Sequence, residues 1–98
     1  MGGKPCLEIG QAIGSYKVVR KLGEGGMGEV YEVFDAKLDR RAALKVVPPE
    51  LALNQDVVRR FQREAKALSQ LRHPGIVHVF VYGVLPCLRN APYFIMEY

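Results

Sequence analysis

Short runs of β-branched and aromatic residues alternate along the chain with clusters of glycine, proline and charge, and one segment repeats its apolar positions at helical spacing. Residues 16–22 hold Tyr16, Val18 and Val19, and residues 29–34 hold Val30, Tyr31, Val33 and Phe34, compositions that favour pleated backbone. A glycine cluster separates the two. Residues 35–40 are polar and predict a turn. Residues 41–47 predict a third strand, which Pro48 and Pro49 stop because proline has no N–H to give to a ladder. The three strands predict an antiparallel meander.

A helix follows. Asn54 suits an N-cap, Asp56 falls in the first turn where a negative charge complements the helix dipole, and Arg72 and His73 close the segment before Pro74. Val57, Phe61, Ala65, Leu68 and Leu71 recur every three or four residues and form one apolar face. Residues 76–84 and 93–98 predict two further strands, joined by a loop that contains Pro86, Arg89, Asn90 and Pro92. The expected fold class is α+β, a five-stranded antiparallel sheet with one principal helix. Residues 1–15 have glycines, Pro5 and no period, so they predict a flexible lead-in to a domain spanning residues 16–98.

Composition narrows the function. The chain has 98 residues, 49% of them apolar, which suits one compact domain. Its net charge of +4 is spread among interspersed acids and bases, without the basic stripe and interleaved aromatics of a nucleic-acid binder, so no nucleic-acid partner is expected. No apolar run approaches the ~18 residues of a membrane span, and the first residues lack the apolar stretch of a cleavable signal, so no membrane segment and a cytoplasmic location are expected. Met1-Gly2 begins a myristoylation pattern, but that pattern asks for Ser or Thr where Cys6 stands. Cys6 and Cys87 share no metal-ligand spacing with each other or with His73 and His78, so reduced thiols and no metal site are expected.

Gly23, Gly25 and Gly28 fit G-x-G-x-x-G, in which backbone amides can approach phosphate oxygens because no Cβ intrudes. The same glycines could simply bend a hairpin. A dinucleotide-binding turn would open a helix after its third glycine, whereas residues 29–34 favour a strand, and the Gly-Lys-Ser/Thr ending of a Walker A loop is absent. A glycine-rich hairpin over a nucleotide fits better, and Val30 stands where the kinase form of the motif has its valine.

Lys45 lies in the run Ala42-Ala43-Leu44-Lys45-Val46-Val47, where an ammonium needs an anion or a path to water. By period two it shares a face with Ala43 and Val47. An edge-strand lysine reaching out to solvent is the plainer alternative. Glu64 interrupts the helical stripe between Phe61 and Leu68, and its plainer alternative is an exposed pair with Arg60. Together, a cation and an anion misplaced on neighbouring elements predict that each relieves the other's desolvation, leaving Lys45 to hold nucleotide phosphates.

These residues resemble the protein kinase family, specifically the eukaryotic-like serine/threonine kinases of bacteria. The run Gly23-Glu24-Gly25-Gly26-Met27-Gly28-Glu29-Val30-Tyr31 is similar to their glycine-rich loop. Ala43-Leu44-Lys45 resembles the third-strand lysine motif, with Ala42 in place of its usual valine. Phe61-Gln62-Arg63-Glu64 resembles the helix that carries the lysine's partner. His73-Pro74-Gly75-Ile76-Val77 resembles the loop into the next strand, and Tyr93-Phe94-Ile95-Met96-Glu97-Tyr98 the strand entering the hinge.

The resemblance implies a kinase N-lobe that binds ATP. Lys45 and Glu64 would form the phosphate-positioning ion pair. Leu22, Gly23, Glu24, Gly25, Gly26, Met27, Gly28, Val30, Ala43, Met96, Glu97 and Tyr98 would line the nucleotide site, Val30 and Ala43 sandwiching adenine, Met96 acting as gatekeeper and the Glu97 carbonyl accepting from the adenine amino group. Leu68 and Val79 would begin the stacked apolar column of an active kinase. Residues 1–98 contain neither the H-R-D-x-x-x-x-N loop nor D-F-G, so Mg2+ is expected only in the complete kinase, and the chain alone is expected to be inactive. The implied partners are ATP, the large lobe and a protein substrate. A competing reading is a non-catalytic interaction module that presents the lobe's apolar underside.

Overall fold

The computed structural model describes residues 6–25, 28–70, 79–88 and 90–98. Among these residues six strands form one antiparallel sheet: β1 (Ala12–Ile13), β2 (Tyr16–Gly25), β3 (Gly28–Asp35), β4 (Arg40–Val46), β5 (Val79–Leu85) and β6 (Ala91–Glu97). The order across the sheet is β1-β2-β3-β4-β6-β5. Among the described residues one α-helix, α1 (Gln55–Gln70), leads from β4 towards β5, and a short 3-10 turn (Pro86–Leu88) follows β5.

The expected meander of three strands, one helix and two strands is present, with one addition. The sixth strand, β1, is only two residues long, too short to show a period, and it pairs Ala12 with Lys17 and Ile13 with Tyr16 around a turn in which Gly14 takes φ 61°. β2 also runs beyond residue 22 into the glycines, because Glu24 pairs with Glu29 and Gly25 with Gly28 in a continuing hairpin. Cross-strand pairing here overrides glycine's poor strand propensity. The end of the helical stripe at Leu71, the cap at Arg72-His73, the 73–77 motif and the start of the strand expected from residue 76 lie outside the described residues.

Each element starts and stops for a local reason. The Asp35 carboxylate accepts from the Lys37 and Leu38 amides at 2.9 and 3.3 Å and from the Ser15 hydroxyl at 3.1 Å, which closes the β3–β4 turn. Asp39 completes that turn in the left-handed region, at φ 50°. Asn54 Oδ1 accepts from the Asp56 and Val57 amides at 3.0 and 3.3 Å, the expected N-cap of α1.

Alternation along β4 divides the apolar residues between two cores. Ala42, Leu44 and Val46 point into the larger cluster with Val18, Tyr31, Val33 and Ile95. The opposite face packs against α1, where Phe61 and Ala65 meet Val47 and Phe94, and Val57, Leu68, Val79 and Met96 surround them. The Phe61 and Phe94 rings lie 5.0 Å apart at 42°.

Within the expected lead-in of residues 1–15, the described part contributes Leu7 and Ile13 to the larger core. Leu7 is 2% exposed, and its amide donates to the Tyr31 hydroxyl at 3.2 Å. The Cys6 amide donates to Glu29 Oε1 at 3.1 Å, and the Tyr31 hydroxyl donates to the same oxygen. Burial pushes the Cys6 thiol up to about 12. Burial also raises Glu29, but the hydrogen bonds from Tyr31 and Cys6, with Lys21 nearby, outweigh it and hold the carboxyl below its usual range.

Two outcomes follow. Leu7→Ala should lower stability by about 2–4 kcal/mol, read as a reduced urea midpoint at unchanged slope; an unchanged midpoint would place residues 6–13 outside the folded unit. Because Glu29 is depressed in the folded state, its stabilising contribution is present above its ordinary value of 4.5 and is lost as pH falls through the folded value. Glu29→Gln should therefore flatten the acid limb of a stability–pH curve, and an identical limb in the two proteins would contradict the assignment.

Candidate functional site

β4 places Lys45 on the helix-facing side of the sheet, opposite Val30 of β3 and Phe94 of β6. Its neighbours Leu44 and Val46 are fully buried, so the ammonium must find its partner on the helix side. Glu64 supplies it. Lys45 Nζ donates to Glu64 Oε1 at 2.8 Å and to Oε2 at 3.0 Å, with the side chains 16% and 38% exposed. Of the two partners weighed for Glu64, Arg60 on its own helix and Lys45 on the sheet, the structure selects the lysine. Both oxygens of one carboxylate face one ammonium, which orients the lysine and ties α1 to β4.

Gly28 makes room for this lysine. A Cβ at Gly28 would stand 2.9 Å from the Val46 carbonyl oxygen and 3.2 Å from Lys45 Cε. Gly23 and Gly25 differ, since a Cβ at either meets nothing within 4 Å, and neither takes a positive φ. Packing among the described residues therefore demands glycine at 28 and gives no reason for the other two.

Beside Lys45 on the same face runs a second row. Glu32 pairs with Ala43, and Ala43 with Met96, so Val30, Ala43 and Met96 share the helix-facing side with Lys45. Leu22 sits at the β2 irregularity between Lys21 and Gly23, 39% exposed. Glu24 turns to Lys21 in an exposed ion pair. Gly26 and Met27 lie outside the described residues. Glu97 ends β6 and is exposed, and the half-exposed Tyr98 ring lies under the Arg41 guanidinium, 4.2 Å from its carbon.

Sequence reasoning missed Arg20, Glu32 and Arg41. Glu32 is 7% exposed, and it accepts from Arg20 Nε at 2.7 Å with Arg41 Nη1 at 3.9 Å. The hydrogen bond to Glu32 raises the Arg20 guanidinium further above its usual value. The signal was available, because an acid inside Val30-Tyr31-Glu32-Val33-Phe34 is as misplaced as Lys45 is in its own strand. Among the described residues no group of three or more His, Cys, Asp or Glu side chains could hold a metal ion, and no helix is long and apolar enough to cross a membrane.

Comparison with known proteins gives a consistent picture. The family profile described as protein kinase domain matches residues 16–98. The chain is 42% identical over 84 residues to the serine/threonine-protein kinase PknD of Chlamydia caviae, covering 85% of this chain and 9% of that protein. It is 41% identical over 70 residues to the serine/threonine-protein kinase PknA of Mycobacterium tuberculosis, covering 71% of this chain and 16% of that protein. The crystal structure of the Mycobacterium tuberculosis PknI kinase domain superposes with a TM-score of 0.70 at 37% identity, over 94% of this chain and 36% of that one. The chain thus spans a small part of each relative.

The glycines give a direct test of the geometry. Gly28→Ala should lower stability by about 1–3 kcal/mol as Lys45 and the Val46 carbonyl are forced to shift. Gly23→Ala and Gly25→Ala should change it by less than about 0.5 kcal/mol. Equal losses at all three positions in thermal unfolding would contradict the placement of Gly28 against Lys45.

Proposed function

The chain belongs to the protein kinase family, and we propose that it serves as the ATP-binding N-lobe of a serine/threonine protein kinase. The observation that carries this reading is the Lys45–Glu64 pair on the face bordered by Gly28, Val30, Ala43 and Met96. Gly23 and Gly25 add support. Nothing among the described residues needs them to be glycine, and close approach of backbone amides to phosphate oxygens would.

In this reading each residue has a physical task. The hairpin amides at Gly23, Gly25 and Gly28 approach the phosphates, with Glu24, Gly26 and Met27 forming the rest of the loop. Lys45 contributes positive charge in an orientation fixed by Glu64, so little side-chain freedom is lost when phosphate arrives. Val30 and Ala43 cover one side of the adenine, Leu22 flanks it, Met96 limits the depth of the cleft, and the main chain at Glu97 and Tyr98 meets the base edge. The small side chain of Ala43 leaves the space a planar base requires.

Mg2+, held by groups of the complete kinase, would neutralise phosphate charge when bound. The remaining partners proposed are the large lobe and a protein substrate, and the cytoplasm, where ATP is abundant, is the proposed location. Residues 1–98 provide positioning and lack the aspartates that hold the metal and orient the attacking hydroxyl.

Two measurements on the 98-residue chain test the proposal. Titration with ATP at millimolar concentration should shift the amide resonances of residues 23–28 and of Ala43 and Lys45, and the shifts should be lost in Lys45→Met. Shifts confined to the opposite face, around Leu7 and Val33, would overturn it. Incubation with labelled ATP, magnesium and a generic basic protein should give no transfer. Transfer that disappears with Lys45→Met would show that the chemistry resides within these residues.

A further inference from the structure

β4 carries three side chains on the helix-facing side, and the outer two are clamps. Lys45 at one end holds Glu64. Arg41 at the other end, about 13 Å away at a strand's rise per residue, lies over the Tyr98 ring. Ala43 stands between them.

The Arg41 clamp draws on four separate pieces of chain. Glu32 of β3 is its centre, 7% exposed on the side shared with Ala43 and Met96. Its carboxylate takes Arg20 Nε from β2 at 2.7 Å and faces Arg41 Nη1 from β4 at 3.9 Å. Both arginines then reach Tyr98, Arg20 Nη2 by donating to its hydroxyl at 3.3 Å and Arg41 by stacking on its ring. Each guanidinium is more than half exposed, so neither is fixed by burial, and Glu32 is the carboxylate they share, hydrogen-bonded to Arg20 and ion-paired with Arg41.

We propose that Glu32 is a positioning residue for the base end of the nucleotide site, holding Arg20 and Arg41 against Tyr98 and so fixing the main chain of residues 97–98. The proposal rests on the nucleotide reading above. It assigns the two ends of one strand to the two ends of one ligand, with Lys45–Glu64 serving the phosphates and Glu32–Arg20–Arg41–Tyr98 serving the purine. Tyr98 acts through its backbone, since its ring is already engaged by Arg41 and its hydroxyl by Arg20.

The test separates base from phosphate. Adenosine and inorganic tripolyphosphate are titrated by NMR into the wild-type chain, Glu32→Gln, Tyr98→Leu and the double variant, with backbone order of residues 96–98 measured by heteronuclear NOE. Tyr98 is half exposed, so Tyr98→Leu leaves the core intact even where Glu32→Gln perturbs folding. The expected result is lower order at 97–98 in every variant, adenosine binding weakened about three- to fivefold, and tripolyphosphate binding unchanged. The double variant should be no weaker than the worse single one. Unchanged order and adenosine affinity in Glu32→Gln, or equal weakening of both ligands, would overturn the role of Glu32. A wild-type chain whose residues 96–98 do not respond to adenosine would instead overturn the nucleotide reading, and the base-end assignment with it.

Discussion

A lysine ammonium on a strand whose neighbours are fully buried is the constraint from which much of this structure follows. Leu44 and Val46 occupy the larger core, so Lys45 is committed by alternation to the other face, and that face must supply an anion. Among the described residues, α1 supplies it through Glu64. Glu64 must therefore sit within the helix's apolar stripe, next to the buried Phe61 and Ala65, and the helix must dock with that stripe towards the sheet. The 5.0 Å contact of Phe61 with Phe94 supplies apolar contact, and the ion pair supplies a unique register. A polar pair of this kind is weak evidence for stability, because desolvation offsets the attraction, and its stronger effect is to select one orientation of the helix.

The same constraint reaches the glycine hairpin. Residues 28 and 29 face opposite sides of the sheet, Gly28 leaving space for the Lys45 stem and Glu29 binding the N-terminal segment at Cys6. The returning strand of the hairpin is thus held from both sides, by the lysine's packing on one face and by Leu7, Tyr31 and Glu29 on the other. Across from it, on β2, a Cβ at Gly23 or Gly25 would meet no described atom within 4 Å. In the proposed nucleotide site, this open backbone is what would let amides approach an anionic ligand closely.

Much of this was legible in the sequence, for identifiable reasons. Runs of β-branched and aromatic residues with proline breaks locate the strands, and a capped stripe of period three and four locates α1. The pair of misplaced charges identified Lys45 and Glu64 before any contact was seen. β1 was not legible because two residues carry no period, and Leu7 was not because a lone apolar residue between Cys6 and Glu8 looks like lead-in. The extension of β2 into Gly23–Gly25 was hidden by glycine's low strand propensity and is set by its partners on β3. Glu32 is legible by the same test as Lys45, an ionised side chain inside an apolar strand run, here Val30-Tyr31-Glu32-Val33-Phe34.

The claim that the sheet and helix are locked by one ion pair is best tested by a double-mutant cycle. Unfolding free energies of the wild-type chain, Lys45→Met, Glu64→Gln and the double variant give the coupling between the two side chains. The structure predicts a favourable coupling of at least about 0.5 kcal/mol, so that the double variant loses less stability than the two single losses added together. Additive losses, with coupling indistinguishable from zero, would contradict it.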